Sequence, residues 1–90
     1  MTHELNIKPT SFKHICEEKR TFDVRKYDKP YKVGDTLIFK EYDGLLEQFT
    51  GRSVKRKLVY LFEGHGQYGL TTGYVVLGFR KAEVIENENK

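Results

Sequence analysis

Glu18-Lys19-Arg20-Thr21-Phe22-Asp23-Val24-Arg25-Lys26 is the stretch on which the fold turns, because a helical pattern stops here and an extended one begins. Within it Phe22 and Val24 alternate with Asp23 and Arg25, the pattern of a half-buried strand. Side chains alternate across a strand, so Asp23 and Arg25 point to the same side when residues 21–26 are extended. Arg20 stands just before the strand, at a helix-to-strand junction, free to swing to either side. Cations interleaved with a carboxylate are suited to gripping a polar, anionic ligand while the acid holds the basic groups in position.

Upstream, His3 to Lys8 reads as a short strand with Leu5 and Ile7 on one face, ended by Pro9. Thr10 or Ser11 can cap the helix that follows. Phe12, Ile15, Cys16 and Lys19 fall at i, i+3, i+4 and i+7, a largely apolar stripe on a helix of about two turns that places Cys16 among buried residues. Downstream, residues 27–34 form a loop around Asp28, Pro30 and Gly34. Residues 35–42 form a strand through Leu37-Ile38-Phe39, whose middle is expected to be covered on both sides.

Asp43 to Gly51 reads as a loop, a wide hairpin connection. The longest strand candidate is Arg52 to Glu63, with Val54, Leu58, Tyr60 and Phe62 on one face. Four glycines in residues 64–73 mark another loop, and Tyr74 to Phe79 is a strongly apolar strand. Lys81 to Ile85 is expected to add a last edge strand before a polar tail at 86–90 that frays. Five to six strands and one short helix favour a mostly β (α+β) architecture, a small, mainly antiparallel barrel.

Ninety residues make one domain with room for one core, and six Phe and six Tyr anchor it without disulfides. The single cysteine excludes an internal disulfide and a CxxC zinc pair. His3, His14 and His65 have no metal-ligand spacing, so no metal or other cofactor is expected. No apolar run approaches the roughly 20 residues of a membrane span, and no signal-peptide stretch opens the chain. A soluble, cytoplasmic protein is the expectation. The net charge of +3 understates the body, since residues 83–88 hold three of the thirteen acids. Nucleic acid fits such a balance, which charge alone does not establish.

The order of helix, basic motif and Gly-Asp strand resembles the ASCH domains of the PUA-like superfamily, and most of all the small DUF3850 group. The residues that carry it are His3-Glu4-Leu5-Asn6-Ile7, Lys19 to Lys26, Val33-Gly34-Asp35, Glu41-Tyr42-Asp43 and Phe49-Thr50-Gly51-Arg52. Tyr68-Gly69-Leu70 and Gly73 to Leu77 continue it, so the likeness runs through nearly the whole chain. The ASCH signature Gly-x-Lys-x-x-Glu-x-Arg meets Glu18, Arg20, Asp23 and Arg25 here. Arg25 is identical, Arg20 and Asp23 keep the charge, and Glu18 replaces a neutral, flexible turn residue with an acid. The resemblance implies a PUA-like barrel and an RNA- or nucleotide-associated role.

Each candidate has a plainer reading beside it. Arg20, Asp23 and Arg25 either make a structural ion pair or line a cleft where Arg25 forks onto a phosphate or a base edge. Lys19 and Lys26 flank that motif and add charge. In the run Arg52, Lys55, Arg56 and Lys57, Lys55 and Lys57 share a face, which is a solvated surface or a phosphate-tracking stripe. The glycines around Tyr68 supply turns, lacking the Gly-Lys-Ser/Thr ending of a P-loop, and Tyr68 can stack on a base at a cleft mouth.

The leading expectation is a binding module for RNA or a modified nucleotide, with Arg20 and Arg25 supplying charge, Asp23 orienting Arg25 or accepting from a base amino group, and Tyr68 stacking. The rival is an enzyme: some small ASCH proteins are amidohydrolases that deacetylate N4-acetylcytidine with a Lys, a nucleophilic Thr and a Glu. The Lys falls at Arg20, which cannot deprotonate in a protein, and the Thr at Asp23. Thr21 offers a hydroxyl, but two positions away, a displacement of roughly 6–7 Å along a strand. A third expectation is a protein-interaction domain that uses the apolar strand 74–79 and exposed tyrosines.

Overall fold

The computed structural model describes residues 1–81; the expected edge strand at 81–85, past its first residue, and the tail at 86–90 lie outside the described residues. Alternation of His3, Leu5 and Ile7 with polar neighbours makes β1 (Thr2–Ile7), which buries those three side chains. Pro9 then opens α1 (Pro9–Cys16), where its missing N–H costs nothing at the first helical position. Four strands follow: β2 (Phe22–Lys26), β3 (Thr36–Asp43), β4 (Gln48–Glu63) and β5 (Tyr74–Arg80).

They form one sheet in the order β1-β3-β4-β5-β2, antiparallel except for the parallel pair β1 and β3. The result is a half-barrel of five strands with one short helix, as the sequence pattern implies. Its core joins Leu5, Ile7, Phe12, Ile15, Tyr31, Leu37, Phe39, Leu58, Val75, Leu77 and Phe79. Phe39 and Phe79 lie with ring centroids 4.9 Å apart, and Arg56 donates from Nη2 to the Ile15 carbonyl at the helix end, 3.0 Å away. Arg56 is therefore a buried helix cap rather than part of a basic surface.

Several expectations are corrected. Neither Thr10 nor Ser11 caps the helix: Lys8 stands at the N-cap without a side-chain bond, and Ser11 instead accepts from Arg20. Cys16 is exposed, because Phe12 and Ile15 cover the core and the helix ends at Cys16. β3 is fully covered on one side only, where Leu37, Phe39 and Glu41 are buried. The 43–51 loop shrinks to a turn at 44–47, with Asp43 Oδ1 accepting from the Leu45 and Leu46 amides, and β4 starts at Gln48.

Two bulges shape β4. At Thr50-Gly51-Arg52 the strand bows around Glu41. At Val59 one extra residue separates the pairs Leu58–Phe79 and Tyr60–Gly78. A single added residue exchanges the faces of a strand. Leu61 therefore packs on the core, while Tyr60 is exposed, so Tyr60 and Phe62 leave the face of Leu58 that simple alternation assigns them.

A cationic cleft between the sheet edges as the candidate functional site

β2 is reversed relative to apolar-in alternation. Its buried residue is Asp23, 6 % exposed, whereas Phe22 and Val24 are 50 % and 45 % exposed. Burying a carboxylate in this way is tolerable only with partners for its charge. Asp23 has two: Oδ1 accepts from Arg20 Nη2 at 2.6 Å, and Oδ2 accepts from Arg25 Nε at 2.5 Å. Satisfying that acid decides the strand's orientation, so the charged face turns inward.

Both guanidinium groups are fixed further. Arg20 donates from Nε to the Phe22 carbonyl and from Nη1 to Ser11 Oγ, and it lies over the Phe22 ring at 5.5 Å. Arg25 donates from Nη2 to the Asn6 carbonyl on β1 at 2.5 Å. Because β1 and β2 are the two edges of the sheet, this bond spans the opening of the half-barrel. Arg25 Nη1 has no protein partner among the described residues.

Around this triad lies a cleft of about 730 Å³, walled by the end of β1, the start of α1, β2 and the loop after β2. Its charged lining holds five cations, Lys8, Arg20, Arg25, Lys26 and Lys29, against three acids, Glu4, Asp23 and Asp28. With both Asp23 oxygens taken by arginines, the cleft presents donors and positive charge at its centre.

Of the residues the sequence singled out, Arg20, Asp23, Arg25 and Lys26 come together here. Lys19 does not line the cleft; it is exposed and pairs with Glu17 at 3.4 Å. Lys55 and Lys57 are exposed on β4, opposite Ile38 and Thr36, and also lie outside it. Tyr68, 94 % exposed at φ +55°, borders a separate apolar groove with Val24, Tyr60, Phe62, Leu70 and Val76, not the cleft mouth. Thr21 is not among the cleft residues.

Glu18 takes φ +61°, the left-handed conformation glycine adopts most readily, and pairs with Lys81 at 2.8 Å. The hydrogen bond and charge of Lys81 hold the Glu18 carboxyl below its ordinary value. This acid therefore meets a cation just past the end of β5, and the charge of Arg56 acts on it as well.

Sequence reading missed Tyr31, whose ring is buried in the cleft wall beside Tyr27 and His3. It also missed the roles of Ser11, the Asn6 carbonyl, Lys8, Asp28 and Lys29. The one available signal was a pair of tyrosines, Tyr27 and Tyr31, in an otherwise polar loop.

A second buried acid, Glu41, accepts from Thr50 Oγ1 at 2.6 Å and from Arg52 Nε and Nη2 at 2.8 and 2.9 Å. Hydrogen bonds from Arg52 and Thr50 hold its carboxyl below the ordinary value, and Arg52 is raised in turn. Among the described residues no cluster of three His, Cys, Asp or Glu side chains could hold a metal ion. No helix among them is long and apolar enough to cross a membrane.

A family model described as a domain of unknown function, DUF3850, matches residues 2–79 of the chain. The chain is also similar to an uncharacterized 12.9 kDa protein in the GpA 3′ region of Escherichia phage P2, 36 % identical over 56 residues. That match covers 62 % of this chain and 50 % of the phage protein, so the alignment spans about half the relative's length.

Proposed function

The chain belongs to the DUF3850 family, whose model spans strands and cleft alike, and we propose that it is an RNA- or nucleotide-binding module built on a PUA-like barrel of the ASCH kind. The observation that carries this reading is the state of Arg25. Its Nε is held by Asp23 and its Nη2 by the Asn6 carbonyl, while Nη1 is left without a protein partner among the described residues, in a cleft of net positive charge. A guanidinium fixed on two sides loses little further freedom when its remaining edge meets a phosphate or a base oxygen.

Lys8, Lys26 and Lys29 supply charge for the backbone of a strand, contacts that position without reading sequence. Lys55 and Lys57 on β4 and Tyr68 above the apolar groove lie beyond the cleft, where a longer RNA would have to continue to reach them. In this reading the protein works in the cytoplasm and its chemistry is recognition. Arg20 is spent on Asp23, Ser11 and the Phe22 carbonyl, which suits a clamp and not a base.

The test is fluorescence polarisation with a labelled single-stranded RNA of mixed sequence across a salt series. Contacts to about three phosphates give a log–log slope near −2. Arg25→Ala should abolish most of the binding; a variant that binds as well as the parent would remove the cleft from the reading. Incubation with N4-acetylcytidine, followed by assay for free acetate, separates recognition from hydrolysis, and turnover would overturn the proposal.

A further inference from the structure

Tyr31 lines the cleft and carries an unsatisfied hydroxyl. Its ring is 2 % exposed, edge-on to His3 with centroids 4.8 Å apart and stacked near Tyr27 at 6.2 Å. The ring cannot swing away without emptying core space. The hydroxyl oxygen is itself buried, and it has no hydrogen-bond partner among the described residues. Buried polar atoms are overwhelmingly paired, because an unpaired one forfeits its bonds to water and gains nothing in return.

Its neighbours restrict what can satisfy it. Arg25, Asp28 and Asp23 all lie close enough for their charges to act on the phenol, and burial, the largest influence, pushes its pKa up. The group therefore remains protonated at neutral pH and can donate. Both Asp23 oxygens are already engaged by arginines. Tyr31, Arg25 and Asp28 thus share the lining of one cleft, where the phenol and Arg25 Nη1 are the donors left without a partner among the described residues.

We propose that the Tyr31 hydroxyl and Arg25 Nη1 form a two-donor receptor for one oxygen-bearing group of a bound nucleotide, a phosphate oxygen or a base carbonyl. This rests on the nucleotide reading of the cleft and adds the residue that selects within it. An oxygen can take a bond from both groups, whereas an amino group can meet only the hydroxyl, which accepts as well as donates, and leaves the donor-only Arg25 Nη1 unpaired.

Tyr31→Phe tests it, since only the hydroxyl is removed and the packed ring is kept. A hydroxyl that waits for a ligand predicts opposite signs in two measurements. The free variant should melt at the parental temperature or higher, by up to about 4–8 °C. Its affinity for the labelled single-stranded RNA should fall about tenfold. Competition with inorganic phosphate, a ribonucleoside 5′-monophosphate panel and the corresponding nucleosides locates the contact. If the variant discriminates against phosphate, the receptor takes a phosphate oxygen; if it loses affinity for nucleosides alone, it takes a base carbonyl. A lower melting temperature would mean that the hydroxyl has a structural partner, and the inference fails. If Tyr31→Phe binds RNA like the parent while Arg25→Ala does not, this inference fails and the cleft reading stands. If the parent binds neither RNA nor any competitor, the cleft reading fails and takes this inference with it.

Discussion

Arg25 donates from Nη2 to the main-chain carbonyl of Asn6, and this one bond ties β2 to β1 across the open seam of the half-barrel. The same guanidinium is oriented by Asp23 on its other side. Arg25→Lys keeps the charge but has neither the planar fork nor the reach to hold both partners. It should retain the fold by circular dichroism yet bind single-stranded RNA about tenfold more weakly than the parent. Equal affinity would show that the cleft needs a charge and not an oriented guanidinium.

Asp23 holds the two arginines together in the cleft, one oxygen to each. Asp23→Asn preserves the shape but can accept from only one side. The variant should lose about 1–3 kcal/mol of stability, the typical cost of unpairing a buried polar group. A double-mutant cycle with Arg20→Ala should show coupling of about 0.5–3 kcal/mol by urea unfolding. Additive losses would demote the pair to two independent surface contacts.

The parts of this molecule that were legible in its sequence are those set by one-residue-at-a-time periodicity. Leu5 and Ile7, Phe12 and Ile15, and the 74–79 strand all go where apolar alternation or helical spacing sends them. The Arg20–Asp23–Arg25 cluster was legible too, because strand alternation puts 23 and 25 on one side. What periodicity could not weigh was the balance at β2, where pairing one carboxylate with two guanidinium groups outweighs covering Phe22 and Val24. Nor could it show the extra residue at Val59, which turns Tyr60 outward and Leu61 inward. Tyr31 was hidden because, beside Tyr27 of its own loop, it packs edge-on against His3 of β1, a contact from a distant strand that local periodicity does not show.

Gly64 governs the loop that carries Tyr68. A Cβ there would stand 2.6 Å from Leu70 Cγ and 2.7 Å from the Thr71 carbonyl oxygen, too close for either to remain in place. The backbone around it is committed as well, through Gly64 N–H to the Tyr74 carbonyl and Gly66 N–H to the Leu70 carbonyl, both 2.8 Å. Gly64→Ala should therefore cost about 1–3 kcal/mol, the range for overpacking a tight site. The apolar groove bordered by Tyr68 and Leu70 should open, read as increased binding of a hydrophobic dye, while RNA binding at the cleft should persist. Loss of RNA binding in a folded Gly64→Ala protein would instead tie the loop to recognition.

Two buried acids set the response to pH. Burial pushes Asp35 up, but hydrogen bonds from His3, the Lys32 amide and the terminal amino group outweigh it and leave the carboxyl below its ordinary value. Glu41 is lowered by its bonds from Arg52 and Thr50. A carboxyl with a lower pKa folded than unfolded adds stability that is fully present above its ordinary range, because only the unfolded chain would take up the proton first. That contribution disappears as the pH falls through the folded value. Stability should accordingly be flat from neutral pH down to the ordinary carboxylate range and decline steeply below it. Glu41→Gln removes one of these titrations, so urea unfolding should find it less stable than the parent at neutral pH and less sensitive to acid. Parallel acid profiles for the two proteins would exclude the Glu41–Arg52 pair as a source of the decline, and the slope would then have to be sought at the other lowered carboxyls, Asp35 and Glu18.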